Sequence, residues 1–97
     1  MPLSYDHVSI FTGGTVSLAC NMSADGMWTY DAGDGRVDYI YWNRTVSEGR
    51  FTVNTSADGV RSLMISPAEF ADTGLYDCYD GGGRRTVGYQ LVVNTIR

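Results

Sequence analysis

The sequence predicts an all-β fold, a sandwich or barrel of short strands. Three observations carry this. Apolar side chains recur with a period of two, and no segment of about ten residues shows a helical stripe. Clusters of Gly, Asp, Asn and Ser punctuate these runs at short intervals. Each of the two cysteines, Cys20 and Cys78, belongs to a run of strand period.

Taken in order, His7–Phe11 reads as a first strand and Thr12–Gly14 as a turn. Val16, Leu18 and Cys20 alternate with Thr15, Ser17 and Ala19, the pattern of a half-buried strand. Ser23–Gly26 is a loop, Met27–Tyr30 a short strand, and Asp31–Gly35 turn chemistry. Val37–Trp42 is aromatic and β-branched, and Arg50–Asn54 is a further strand. Ser56–Gly59 contains Asp-Gly and reads as a hairpin turn leading into Ser62–Ile65. Pro67–Phe70 fits one helical turn. Leu75–Tyr79 and Thr86–Val93 are the last strands, joined by Asp80–Arg85 with its three glycines.

The 97 residues make one domain, residues 1–97 with a core over about 8–93. A chain this short buries roughly 60–70% of its unfolded surface, so a covalent staple would help. Two cysteines allow one disulfide or one reduced pair. A bridge between them would close more than half the chain into a loop and stabilise it by ~4 kcal/mol. Asn-x-Ser/Thr acceptors stand at Asn21, Asn43 and Asn54, and with one plausible disulfide they point to the secretory route. The net charge is −4 and no lysine is present, which argues against nucleic acid or an anionic membrane as partner. No apolar run is long enough to span a bilayer, so no membrane insertion by this segment is expected.

Catalytic and metal chemistry find little footing. His7 is the single histidine and no nucleophile is bracketed with it. Cys20 and Cys78 do not form a CxxC motif. Asp31, Asp34 and Asp38 lack the alternating spacing and terminal Glu of a calcium loop, with Trp42 in the twelfth place. The triple glycine before Arg84 lacks the Lys-Ser/Thr of a phosphate loop. No enzyme activity, cofactor or metal is expected.

Gly14-x-Val-x-Leu-x-Cys20 and Asp72-x-Gly-x-Tyr-x-Cys78, with Trp28 between them, resemble the immunoglobulin superfamily, specifically its variable-type domains. The resemblance runs from about Val8 to Val93. It implies an immunoglobulin-like two-sheet Greek-key sandwich of V-type with one inter-sheet disulfide, Cys20–Cys78, clamped over Trp28. It implies that Tyr76 forms the tyrosine corner and that Arg50 pairs with Asp72 at one end. Gly74 would hold a backbone conformation costly for other residues. Trp42 competes for the core position, but Trp28 places the later turns where the pattern needs them. The Phe/Trp-Gly-x-Gly of antigen-receptor joining segments is missing, with Gly88 alone in that neighbourhood.

In such a fold the sheet of strands G, F, C and C′ presents a flat face with loops at one end. If Tyr76 and Cys78 face inward, Asp77 and Tyr79 face out. Tyr41 and Trp42 would lie near the edge, and Arg84 and Arg85 in a mobile F–G loop. These six form the expected partner-binding set. The resemblance thus implies a non-catalytic extracellular recognition module of an immune-type receptor or adhesion molecule. It would bind a protein ligand or form a homodimer, with Asp77 pairing to Arg84 or Arg85 across the interface. A sialic-acid reader of this type would carry an arginine where Asp77 stands. The alternatives are a structural spacer of a tandem immunoglobulin array and a virally encoded decoy. Met1–Asp6 has neither a basic start nor an apolar core, so the expectation is an ectodomain piece, cell-surface or secreted, with an added initiator Met.

Overall fold

The computed structural model describes residues 4–21, 26–33, 35, 37–42, 45–46, 51–55 and 60–95. At 41, 42, 45, 46 and 55 it describes the backbone alone. Nine strands are described: β1 (Asp6–Phe11), β2 (Val16–Leu18), β3 (Met27–Asp31), β4 (Val37–Trp42), β5 (Thr45–Val46), β6 (Phe51–Thr55), β7 (Arg61–Ile65), β8 (Gly74–Tyr79) and β9 (Arg85–Asn94). They form a six-stranded sheet, β1-β9-β8-β3-β4-β5, and a three-stranded sheet, β2-β7-β6. The chain passes between the two layers and back twice, so neighbours in a sheet are distant in sequence. This is the two-sheet sandwich of the V-type pattern. All described pairings are antiparallel except β1 with β9, which run parallel near the two ends of the chain.

The period-two reading explains the layers. Val16, Leu18 and Cys20 point inward from β2 and its extension, while Ser17 and Ala19 are exposed. Leu63 and Ile65 answer them from β7, and Leu91 and Val93 from β9, all fully buried. Burying a side chain of this size contributes about 1.5–3 kcal/mol relative to leaving it in water. Trp28 is fully buried in the same core, with its ring stacked 6.1 Å from that of Tyr89. Cys20 and Cys78 are bridged across the layers, with Cα atoms 6.5 Å apart and a sequence separation of 58. In register, Cys78 lies beside Trp28. The backbone of Trp42 lies in β4, but its side chain lies outside the described residues.

The corner before β8 is held by two tyrosines. Tyr76 is fully buried and donates its hydroxyl to the Asp72 carbonyl at 2.5 Å, which is the tyrosine corner. Tyr30 packs its ring 4.9 Å from that of Tyr76 and donates to the carbonyls of Thr73 at 2.7 Å and Ala71 at 3.1 Å. Gly74 has φ +156°, and a Cβ there would lie 2.6 Å from the Tyr30 ring and 2.7 Å from the Asp31 carbonyl. Glycine is therefore required by backbone and by space together.

One local expectation shifts. The helical turn falls at Phe70–Asp72, not Pro67–Phe70. Ala68 donates its N–H to the Gly14 carbonyl at 2.9 Å and accepts from Gly13 at 2.8 Å, which ties the preceding residues to the β1–β2 turn. The turn then starts after Glu69, whose N–H is capped by the Asp72 carboxylate at 2.8 Å. The expected Arg50–Asp72 pair and the Asp-Gly hairpin turn at 56–59 lie outside the described residues, because Arg50 and that turn do.

Candidate functional site

Strand alternation sorts the six-stranded sheet into two faces. Trp28 lies opposite Cys78, and Tyr30 opposite Tyr76, on the core side. Thr29 therefore shares the outer side with Asp77, and through β4 with Tyr39. On β9 the residue facing Asp77 is Gly88. One row thus crosses the outer face as Tyr39, Thr29, Asp77 and Gly88, and a second as Val37, Asp31, Leu75 and Gln90.

The first row ends in an ion pair made within the chain. Asp77 is only 8% exposed although it faces outward. Arg85 Nε donates to its Oδ1 at 2.6 Å, and the Tyr5 hydroxyl donates to its Oδ2 at 3.3 Å. The Arg85 guanidinium lies 4.7 Å over the Tyr5 ring and donates through Nη2 to the Ser4 carbonyl at 2.5 Å. Gly88 makes this possible: a Cβ there would overlap the Arg85 guanidinium and lie 2.7 Å from Asp77 Oδ1. Burial opposes the Arg85 charge, but the hydrogen bond and charge of Asp77 outweigh it and hold the guanidinium more firmly protonated. Burial, and then the Asp77 charge, raise the Tyr5 phenol above its ordinary value.

This corrects the expected cross-dimer pairing. The β8–β9 register shift between Cys78 and Tyr79 carries Arg85 back over the sheet, so its charge is met inside one chain. Arg84 alone of the two arginines remains exposed, at the loop end. Tyr79 is half-buried, beside Met27 and Arg85. The side chains of Tyr41 and Trp42 lie outside the described residues.

The F–G loop was expected to be mobile. It closes as a turn: Asp80 Oδ1 accepts from the N–H of Gly82 at 2.9 Å and of Arg84 at 3.0 Å. The backbone adds Asp80 N–H to the Arg84 carbonyl at 2.8 Å and Gly83 N–H to the Asp80 carbonyl at 3.0 Å. Gly83 takes φ +84°, which favours glycine. The first acid of the loop organises it, a signal the run Asp-Gly-Gly already carried.

Around the ion pair the outer face is apolar at its margins. Tyr39 is 57% exposed and Val37 55%, side by side on β4. At the other margin Phe11 is 58% exposed and Val92 lies near it on β9. Sequence reasoning did not single out these four or Tyr5. The alternation of His7, Ser9 and Phe11 against Val8 and Ile10 was the available signal for Phe11. Among the described residues no exposed large apolar side chain lies on the outer face of the three-stranded sheet. Nor do three His, Cys, Asp or Glu side chains cluster there as metal ligands would. No described helix is long and apolar enough to cross a membrane.

No protein-family model matches the sequence, and a comparison with curated proteins finds no match. Solved structures do match. The extracellular domain of the voltage-gated sodium channel β4 subunit, seen as parallel homodimers with a role in cell–cell adhesion, is 19% identical with TM-score 0.76, covering 100% of this chain and 99% of that one. The extracellular fragment of novel immune-type receptor 11 from Ictalurus punctatus is 19% identical with TM-score 0.75, covering 93% and 85%. The first immunoglobulin domain of the mouse polymeric immunoglobulin receptor is 21% identical with TM-score 0.75, covering 96% and 93%. At these identities the likeness is one of fold.

Proposed function

We propose that this chain, which has the fold of a variable-type immunoglobulin domain, is a non-catalytic extracellular recognition module of an immune-type receptor or adhesion molecule. It binds a protein partner through the outer face of the six-stranded sheet, with the F–G turn at one end. The observation that carries the reading is the one-sided exposure of Tyr39, Val37, Phe11 and Val92 on that face. Interface centres are enriched in aromatic side chains, and a desolvated aromatic anchor dominates binding energy where it finds a pocket. The Tyr5–Arg85–Asp77 cluster stiffens the middle of the face, so little side-chain entropy is lost there on docking.

The partner to test first is a second copy. The β4 subunit domains, alike in fold, form parallel homodimers. A two-fold contact would set each apolar margin against its counterpart, with Arg84 at the rim. Sedimentation velocity of the wild type up to high micromolar concentration is expected to show reversible dimers, and Tyr39→Asp to remain monomeric. A wild type monomeric throughout contradicts self-recognition.

A further inference from the structure

We infer that Asn21 and Asn54 are N-glycosylation sites whose glycans clothe the outer face of the three-stranded sheet. The inference rests on the extracellular reading above, since the glycosyl donor is met along the secretory route.

The geometry comes from the register of β2 on β7. Val16 pairs with Ile65 and Leu18 with Leu63, and the ladder continues past β2. Cys20 and Arg61 exchange backbone hydrogen bonds at 3.2 and 2.7 Å, and Asn21 bridges Val60. Val16, Leu18 and Cys20 face the core, so Asn21 faces out, and it is exposed. On β6, Phe51 and Val53 turn toward the core while Thr52 and Asn54 are exposed. Asn54 stands opposite Ser62, in the row next to Asn21. Two strand spacings across and two residues along separate the two asparagines by about 12 Å. Both begin Asn-x-Ser acceptors, Asn21-Met22-Ser23 and Asn54-Thr55-Ser56.

The surroundings suit a glycan and not a protein partner. The outer side of this sheet offers the small side chains Ser17, Ala19, Ser62 and Thr52, with Met64 in their midst and Val60 opposite Asn21. Asn54 Nδ2 donates to Met64 Sδ at 2.7 Å. Glycosylation would leave one N–H on that nitrogen to keep the contact. The chemistry is group transfer from a lipid-linked glycosyl diphosphate. The Nδ2–C1 bond forms, the C1–O bond to the diphosphate breaks, the lipid diphosphate leaves and Nδ2 gives up one proton. β6 is also the edge strand of its sheet. A glycan on Asn54 would block edge-to-edge pairing, a hazard of exposed edges. The six-stranded face has Asn94 on its outer side, but Asn94-Thr95-Ile96 is not an acceptor. Asn43 lies outside the described residues.

The test is secretion of the full chain from a glycosylating eukaryotic host behind an appended leader. Peptide mass spectrometry after enzymatic glycan release in heavy-oxygen water reads each site. Asn21 and Asn54 are expected to be glycosylated in most molecules. A folded, secreted chain with both asparagines unmodified overturns the inference. A second arm compares sedimentation of three samples: the wild type after enzymatic glycan removal, Ser23→Ala/Ser56→Ala, and Gln90→Asn/Val92→Thr. The last places an acceptor on the six-stranded face. Glycan loss from Asn21 and Asn54 should leave association unchanged, and the new glycan at position 90 should abolish it relative to the control Gln90→Ala/Val92→Thr, which carries no acceptor. Association changed more than about threefold by glycan loss alone overturns the division of faces. A wild type that is glycosylated as stated but monomeric counts against self-recognition and leaves the site assignment standing.

Discussion

Tyr76 donates its hydroxyl to the Asp72 carbonyl while its ring is fully buried, so removing the oxygen takes a buried hydrogen bond from that carbonyl. Tyr76→Phe is expected to cost about 1–3 kcal/mol by urea denaturation, with the fold retained. Asp77 and Arg85 are a partly buried, hydrogen-bonded pair. Arg85→Met leaves the Asp77 carboxylate with the weak Tyr5 hydrogen bond alone, and a loss of about 1.5–3 kcal/mol is expected. Asp77→Asn/Arg85→Met should recover part of it in a double-mutant cycle. A third expectation concerns alkali. Tyr5 and Tyr89 have phenols raised above the ordinary 10.0 by burial first, and then by Asp77 and Asp6 respectively. The unfolded chain gives up these protons near pH 10 while the folded chain keeps them. Their contribution is thus intact below pH 10 and is lost as pH rises through the raised folded values. Melting temperature followed from pH 8 to 11.5 should fall above pH 10, and less steeply in Tyr5→Phe/Tyr89→Phe.

Among elements, the disulfide joins the extension of β2 to β8 and so ties one layer to the other. Cys20→Ala/Cys78→Ala releases a loop of 58 residues and is expected to cost ~4 kcal/mol, read as a drop in the urea midpoint. Nearly every strand was legible in the sequence as local alternation, whereas the clamp and the tyrosine corner came with the resemblance carried by the motifs ending at Cys20 and Cys78. The choice of Trp28 for the core came from the same resemblance. The site was legible only in part. Alternation turned Asp77 outward, but its cover by Arg85 and Tyr5 depends on the parallel β1–β9 pairing and the β8–β9 register shift. Both join residues far apart in the chain, and no local pattern encodes them. The margin of Phe11 and Val92 has the same origin, since Ser9 meets Val92 and Phe11 meets Asn94 only once the two ends of the chain pair. The closure of the F–G turn was not read from its three glycines, because it depends on the Asp80 carboxylate accepting two backbone N–H groups.

The whole molecule is two layers with unlike outer surfaces. One shows no exposed large apolar side chain among its described residues and carries two candidate glycan acceptors. The other is rigid at its middle and apolar at its margins. Exposed apolar patches of this kind mark contact surfaces when they are contiguous and rimmed by polar groups. The most direct measurement is the set of backbone amide shifts of isotope-labelled chain as concentration is raised from low to high micromolar. Recognition through the six-stranded sheet predicts changes at Val37, Tyr39, Thr29, Leu75, Gln90 and Phe11, with Ser17, Thr52, Asn54 and Ser62 unmoved. Changes centred on those last four, or a spectrum that does not respond to concentration, would contradict it.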